Sequence, residues 1–201
     1  QLTGTSSGNK VRNVRFEGVT FAHAGWNGPS SNGSAMTQGC RELVPSVKQG
    51  AITAQYADNL EFAFCKFRFL GFTAISYVKG VTGGSIRNCD FRWLSGNGIV
   101  IHDDGNNDTT DAETCQNIRI VNNGISRFGQ QYSNGIGIVN YFVKRMLIAD
   151  NEICYGTYMG TQTGGQAGGN VDVGMKDNIV RNNYVRHVMQ FHDDGAAYYT
   201  L

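Results

Sequence analysis

Apolar positions recur along the chain in one arrangement, in which an apolar residue is followed five positions later by a second apolar residue. The first residues of the copies form one column: Phe16, Phe62, Ile86, Ile120, Ile148 and Val180. The second residues form another: Phe21, Phe67, Phe91, Ile125, Ile153 and Val185. Three positions into each copy stands a third column: Val19, Cys65, Cys89, Asn123, Asn151 and Asn183. Six segments therefore share a pattern of two short strands joined by a tight turn.

Successive copies begin 46, 24, 34, 28 and 32 residues apart. The shortest interval suits one coil of a β-helix, with loops absorbing the excess in the others. A helical solenoid is disfavoured because the apolar residues alternate instead of recurring every three or four positions. A propeller blade needs about four strands in about 40 residues, which the shortest interval cannot supply. The pattern therefore predicts an all-β, right-handed parallel β-helix of about six coils.

Each coil is predicted to contain a further short strand, with alternate apolar residues pointing inward and the other face left for solvent. These strands are expected at residues 51–55, 74–78, 98–101, 135–138, 158–162 and 195–200. The asparagine column suits a tight turn, because asparagine accepts a left-handed backbone and its amide can bond locally. Stacked in register, such amides can bond one another along the axis. The two cysteines of the same column are interpreted as small packing residues rather than redox or metal groups.

One domain, residues 1–201, is expected, interrupted by insertions at about 22–49, 103–116 and 163–176. In a solenoid such insertions become loops that overhang one face, which is often the binding face. The chain stops inside the strand expected at 195–200, and natural solenoids cover such an unpaired edge. We therefore expect the natural protein to continue beyond it.

Composition narrows the function classes. The 17 basic and 16 acidic residues are dispersed and give a net charge of +1, which argues against nucleic acid as a partner. No apolar run approaches the roughly 18 residues of a membrane span, so no membrane partner is expected. The 27 glycines follow no collagen period. Five cysteines without a C-x-x-C pair remove the common zinc and thioredoxin-like interpretations.

Several segments carry a resemblance to a known group. Residues 14–26, VRFEGVTFAHAGW, resemble the FEGLTFxHxxW opening of large right-handed β-helix carbohydrate-active proteins. Residues 134–138, 150–153 and 192–201 also resemble that group, and the last is similar to its DgGaIYtlG segment. The resemblance covers nearly the whole chain and implies the pectate-lyase-like superfamily, which includes polysaccharide lyases and glycoside hydrolases, with glycoside hydrolase family 141 the first to test. Residues 158–162 depart from the Gly-Trp-Gly run of relatives, which bears on substrate specificity.

Two acidic motifs stand at predicted strand ends: His102-Asp103-Asp104 and His192-Asp193-Asp194. Glycoside hydrolysis uses two carboxylates about 5 to 10 Å apart. The motifs are predicted three coils apart, or about 14 Å at about 4.8 Å per coil, which is too far for them to act together. A partner for the second motif is therefore expected from an adjacent or later coil. Alternatively, Asp-Asp-Gly makes a turn, and each histidine either transfers protons or bonds a neighbouring coil.

Aromatic residues are candidates for stacking on sugar rings, although aromatics also fill β-helix cores. The candidates for substrate binding are Trp26, Tyr77, Tyr141 and Tyr199. Tyr77 and Tyr199 are predicted at the surface, because alternation sets them opposite residues interpreted as inward, Ser76 and Thr200. No cofactor or metal is expected. A calcium site is kept as an alternative, with oxygen ligands that hard cations prefer: Asp103, Asp104, Asp108 and Asp111.

The resemblance and the acidic motifs together predict a carbohydrate-active protein, a glycoside hydrolase using carboxylate acid/base catalysis on a complex extracellular polysaccharide. A polysaccharide or glycan is the expected partner. The expected location is extracellular or secreted, with the periplasm or the cell surface as variants. A polysaccharide lyase is one alternative. A non-catalytic carbohydrate-binding, adhesin or structural filament protein is another, because coil ends can associate end to end.

Overall fold

The computed structural model describes residues 1–25, 50–101, 110–164 and 175–200. These residues form strands and turns, and they contain no helix that is long and apolar enough to cross a membrane. All pairing between the named strands is parallel, and the described strands make one seven-stranded sheet and two six-stranded sheets. Because the chain visits the three sheets in turn, each coil adds one strand to each sheet. The predicted parallel β-helix of six coils is confirmed.

The strands take the following bounds. The first sheet contains β1 (Leu2–Thr3), β4 (Gly50–Gln55), β7 (Thr73–Tyr77), β10 (Ile99–Ile101), β13 (Ile138–Asn140), β16 (Thr161–Thr163) and β19 (Tyr198–Thr200). The second contains β2 (Val11–Glu17), β5 (Ala57–Ala63), β8 (Val81–Arg87), β11 (Arg119–Val121), β14 (Leu147–Ala149) and β17 (Ile179–Arg181). The third contains β3 (Thr20–Ala22), β6 (Lys66–Leu70), β9 (Asp90–Leu94), β12 (Gly124–Ser126), β15 (Glu152–Cys154) and β18 (Tyr184–Arg186).

Both apolar columns are confirmed by the strand register. In the second sheet each member of the first column pairs with its counterpart one coil away, for example Ile86 with Ile120. In the third sheet the second column does the same, and the rings of Phe67 and Phe91 stack with centroids 4.5 Å apart. These side chains point inward and are fully buried in the middle coils. Stacking of like residues therefore builds one continuous core along the axis.

The asparagine column forms a hydrogen-bonded ladder, as predicted. The side-chain amide of Asn123 donates to Oδ1 of Asn151 at 2.9 Å, and that of Asn151 donates to Oδ1 of Asn183 at 2.8 Å. Asn123 and Asn151 are buried, so these bonds satisfy amides that water cannot reach. The predicted left-handed backbone at this column is wrong. The bend is made one residue earlier, where Asn122 and Asp150 have φ of 55° and 58°.

The first sheet differs from the prediction on its outer face, which was expected to contact solvent. Its outward column pairs Ser76 with Val100, then Val139 and Gln162, and all four side chains are buried. A second apolar cluster, here called the outer cluster, contains Val100, Ile136, Val139, Tyr141, Phe142, Tyr158 and Met159, with Met189 and Tyr199 packed against it. β13, β16 and β19 begin three residues later than predicted. The turns before them are longer, and they contribute residues to this cluster.

The three predicted insertions fall largely outside the described residues. Their boundaries, and the single-domain assignment, stay predictions.

Replacing Asn151 by alanine tests the ladder. Its amide accepts from the backbone and the side chain of Asn123 and donates to the carbonyl of Ile120, so the change leaves buried groups without partners. We expect the free energy of unfolding to fall by about 3 kcal/mol, because each such group costs about 1 to 3 kcal/mol. Urea unfolding measures it. Gln131→Ala, which removes an exposed amide, is the control, and an equal loss in both variants would contradict a structural role for the ladder.

Candidate functional site

The described acidic motif, His192-Asp193-Asp194, lies in the turn between β18 and β19. The candidates Trp26, His102, Asp103 and Asp104 lie outside the described residues. The strand before the first motif, β10, and the strand after the second, β19, are three strand spacings apart in the first sheet. The separation of the two motifs themselves stays a prediction, because the first motif lies outside the described residues.

Side chains from two preceding coils hold this turn. The Tyr158 hydroxyl donates to the backbone carbonyl of Asp194 at 2.6 Å. The Tyr158 ring meets the His192 ring edge to face, with centroids 4.9 Å apart. On its other side, His192 Nε2 lies 3.1 Å from Ser133 Oγ, within hydrogen-bond distance. The turn is therefore anchored through its imidazole and its backbone, which leaves both carboxylates unused by this anchoring.

The two carboxylates face solvent. Asp193 and Asp194 are exposed, and neither forms an ion pair with another described residue. They are also the only acidic residues in the described parts of the turns that lead from the third sheet to the first. The arrangement can offer a carboxylic acid or a carboxylate to a ligand at this edge. A second carboxylate from another turn is not among the described residues of these turns.

The motif turn has a counterpart that the sequence analysis missed. The turns at 127–137 and 187–197 both join a third-sheet strand to a first-sheet strand and have the same length. Ser133 and Asn134 occupy the positions of Asp193 and Asp194, and Gly135 matches Gly195. The turn at 127–137 therefore carries neutral side chains where the turn at 187–197 carries acids. Aligning the two turns on their glycines would have revealed this relation and drawn attention to Ser133.

Among the aromatic candidates, Tyr199 points outward as predicted and packs partly buried against the outer cluster. The surface prediction for Tyr77 is wrong, because Tyr77 is 1% exposed and lies in the inner core. Ser76, read as inward, faces outward instead. Burial raises the pKa of Tyr77 well above its ordinary range. Tyr141 is also buried, within the outer cluster, so its ring offers no open face for a sugar.

One exposed aromatic residue stands beside the motif. Phe191 directly precedes His192 and is 73% exposed, the largest exposure among the large hydrophobic side chains in the described ranges. No motif or repeat in the sequence singles out Phe191. With Tyr199 it gives the site aromatic surface on which a sugar could pack.

The cysteines agree with the interpretation as packing residues. Cys65, Cys89, Cys115 and Cys154 are buried free thiols. Burial raises the pKa of the Cys89 thiol to about 12, so the thiol stays protonated and unreactive at neutral pH.

Of the four candidate calcium ligands, only Asp111 lies within the described residues, and it pairs with the side chain of Lys144. Asp111 Oδ1 lies 2.5 Å from Lys144 Nζ, and this hydrogen bond and charge lower the pKa of Asp111. Asp103, Asp104 and Asp108 lie outside the described residues. Within the described ranges, no three His, Cys, Asp or Glu side chains are grouped as metal ligands.

A cavity of about 360 Å³ lies between the last described strands of the first and second sheets. Its walls include Thr161, Val180 and Tyr199, and it contains none of the three motif residues. The candidate site is therefore the exposed turn beside the outer cluster and not this cavity.

The similarity of the chain to known proteins was found by comparing structures. No protein-family profile matches the chain, and no curated protein matches it. A solved structure named "Glycoside hydrolase" superposes on it with a TM-score of 0.87 and 28% sequence identity over 98% of this chain. The match covers 38% of that protein, so the chain spans well under half the length of the glycoside hydrolase it resembles. The resemblance to a glycoside hydrolase is supported, while the assignment to family 141 stays a prediction.

Thiol labelling tests the burial of Cys89. We expect iodoacetamide to leave Cys89 unmodified in the folded protein at pH 8, because its folded pKa is about 12, and to modify it after unfolding. The unfolded thiol has a pKa of about 8.5, so this group favours folding below about pH 8.5 and loses that contribution as the pH rises toward 12. An exposed thiol from Gln131→Cys is the control. Equal labelling of both in the folded protein would show that Cys89 is accessible.

Proposed function

We propose that the chain belongs to a glycoside hydrolase that acts on a complex extracellular polysaccharide. The observation that carries the proposal is the clamped turn at His192-Asp193-Asp194, which presents two exposed carboxylates beside an aromatic surface. The likeness to a solved glycoside hydrolase over nearly the whole chain supports it.

Each group of the turn would have a role that its chemistry suits. Hydrolysis needs one carboxylic acid to protonate the leaving oxygen and one carboxylate to act as base or nucleophile. Asp193 and Asp194 are the candidates for acid or nucleophile. His192 would orient or assist them, because Ser133 and Tyr158 fix its ring. Tyr158 would position Asp194 by holding its carbonyl.

The second carboxylate of the pair would come from a coil close to Asp193 and Asp194. β10 and β19 are three strand spacings apart, or about 14 Å, which exceeds the separation of about 5 to 10 Å that either stereochemical course uses. The proposal therefore does not rely on Asp103 or Asp104 as the partner.

The sugar chain would bind beside the His192-Asp193-Asp194 turn, along the edge of the outer cluster. Phe191 and Tyr199 lie on either side of the acidic pair along the chain and offer aromatic surface. Sugar binding on such surface would bring a glycosidic oxygen to the turn. Complex polysaccharides of this class occur outside the cell, so we propose a secreted or extracellular protein.

Replacing Asp194 by asparagine in the full-length protein tests the role of the turn. Removing a general acid or base typically lowers the rate by about 10²- to 10⁴-fold, and we expect a loss in this range. The release of reducing ends from a panel of polysaccharides measures it. Asp193→Asn is compared in the same assay, and the larger loss identifies the residue that acts directly on the glycosidic bond.

Asp150→Asn is the matched control, because it removes an exposed carboxylate from a turn between the second and third sheets, where asparagine stands at the equivalent position of neighbouring coils. It should leave the rate within about twofold, because this turn does not adjoin the His192-Asp193-Asp194 turn. Absorbance of unsaturated uronates in place of reducing ends alone would identify a polysaccharide lyase. A folded protein that releases no product from any polysaccharide would overturn the enzymatic proposal and favour a binding or structural protein.

A further inference from the structure

A row of large side chains runs along the outside of the solenoid, at the corner where each third-sheet strand ends. Its members are His23, Phe69, Trp93, Arg127, Tyr155 and His187, here called the ring ladder. Each lies two residues after an inward residue of the second apolar column. Five aromatic rings and one guanidinium thus occupy equivalent positions in six successive coils.

The members of the ring ladder stack face to face. Neighbouring rings in the three directly stacked pairs have centroids 5.0 to 6.5 Å apart and nearly parallel planes. Arg127 fills the gap between two rings, with its guanidinium carbon 4.4 Å from the Trp93 centroid and 5.6 Å from the Tyr155 centroid. The rings therefore cover part of one another, and the rest of each side chain stays open to solvent.

The backbone conformation of the ring-ladder residues is strained. Every member has a φ between 49° and 60°, the left-handed region that bulky residues rarely adopt. Glycine would take this conformation without strain, whereas here stacking of the side chains offsets the strain. Phe69 and Trp93 stay 52% and 42% exposed, so they remain open to a ligand.

The adjoining outer face of the third sheet is positively charged. Its described residues, with Arg127, carry five cations and two carboxylates: Lys66, Arg68, Arg92, Arg127 and Arg186 against Asp90 and Glu152. We call this surface the basic face. Asp90 pairs with Arg68 and Arg92 at 2.6 and 2.7 Å, and Glu152 pairs with Arg186 at 2.7 Å. Lys66 and Arg127 pair with no described carboxylate.

Small residues make a shallow depression at the centre of the basic face. Gly124 and Ser126 lie outward in β12, between longer side chains of the coils on either side. A Cβ at Gly124 would meet only Asp90 Oδ1, at 3.9 Å, so the space above it is open. Gly124 pairs with Asp90 and Glu152, and Ser126 pairs with Arg92 and Cys154. Arg127 directly follows Ser126, so the depression has both cations and carboxylates at its rim.

We propose that the basic face binds an acidic polysaccharide, a polyuronate, whose carboxylates contact Arg127 and its neighbouring arginines. The planar guanidinium fork matches a carboxylate. The edges of aromatic rings carry partial positive charge and add to the attraction for anions. Asp90 and Glu152 can accept hydrogen bonds from sugar hydroxyls. The proposal rests on the proposed function only in taking a polysaccharide as ligand, and the surface is separate from the His192-Asp193-Asp194 turn.

Nucleic acid fits this surface less well. Binding of single strands relies on bases stacking against open ring faces, and the faces of the ring ladder are partly covered. Sugars with carboxylates separated by hydroxyl groups match the mixture of cations and acceptors better.

The test measures binding of polygalacturonate to the full-length protein by isothermal titration calorimetry, with a neutral glucan and single-stranded DNA as comparison ligands. Arg127→Gln should weaken polygalacturonate binding about tenfold, the factor expected for losing one charge-assisted contact. Added salt should weaken binding to the unaltered protein. Arg119→Gln, which removes an exposed cation from the outer face of the second sheet, should leave the affinity within about twofold.

A second pair of variants guards against a loss of folding in Arg127→Gln. Ser126→Glu places a carboxylate in the depression and should weaken binding, whereas Ser126→Gln, of matching size, should not. Melting temperatures of all variants show whether they are folded. Equal effects of Arg127→Gln and Arg119→Gln, no polygalacturonate binding, or DNA binding as tight as polygalacturonate binding would each overturn the proposal.

Measuring hydrolysis and binding separately distinguishes the two proposals. If no substrate is hydrolysed, but polygalacturonate binds and Arg127→Gln weakens this binding, the proposal for the basic face is supported and the hydrolase proposal is overturned. If a neutral polysaccharide is hydrolysed and polygalacturonate does not bind, only the basic face is overturned.

Discussion

Pairing of each residue with its counterpart one coil away sets the whole structure, and the buried asparagine ladder makes this register specific. Apolar columns alone tolerate slippage, because one branched side chain packs on another in several ways. A buried amide does not tolerate slippage, because it needs both a donor and an acceptor in the neighbouring coils and a slip would leave these polar groups unpaired. Asn123, Asn151 and Asn183 thus fix three coils relative to one another.

The same register organises the outside of the solenoid. Because strands align, the turns that join them also lie one above another, and side chains from one turn reach the next. Tyr158 and Ser133 hold the His192 turn in this way. At the corner of the third sheet the same repetition builds the ring ladder, where stacking offsets the strain of left-handed residues. Candidate chemistry is thereby supported by neighbouring coils and not by its own turn alone.

The sequence predicted the inward columns and the amide ladder because both repeat at a fixed position in every coil. It failed where a local choice depended on three-dimensional context. Ser76 and Tyr77 could be assigned to either face by alternation, and only the pairing of Ser76 with Val100 decides it. Burial of Val139 and Gln162 on an outer face has no local signal. The contacts of Tyr158 join turns of different lengths, 155–160 and 187–197, so spacing along the chain could not reveal them.

The central claim is that the turn at Asp193 and Asp194 meets a glycosidic bond beside the outer cluster. A crystal structure of the full-length Asp194→Asn variant with a bound oligosaccharide tests it most directly. The account predicts a sugar chain packed beside Phe191 and Tyr199, with a glycosidic oxygen within hydrogen-bond distance of residue 193 or 194. A sugar chain bound at another surface, with this turn contacting only solvent, would contradict it.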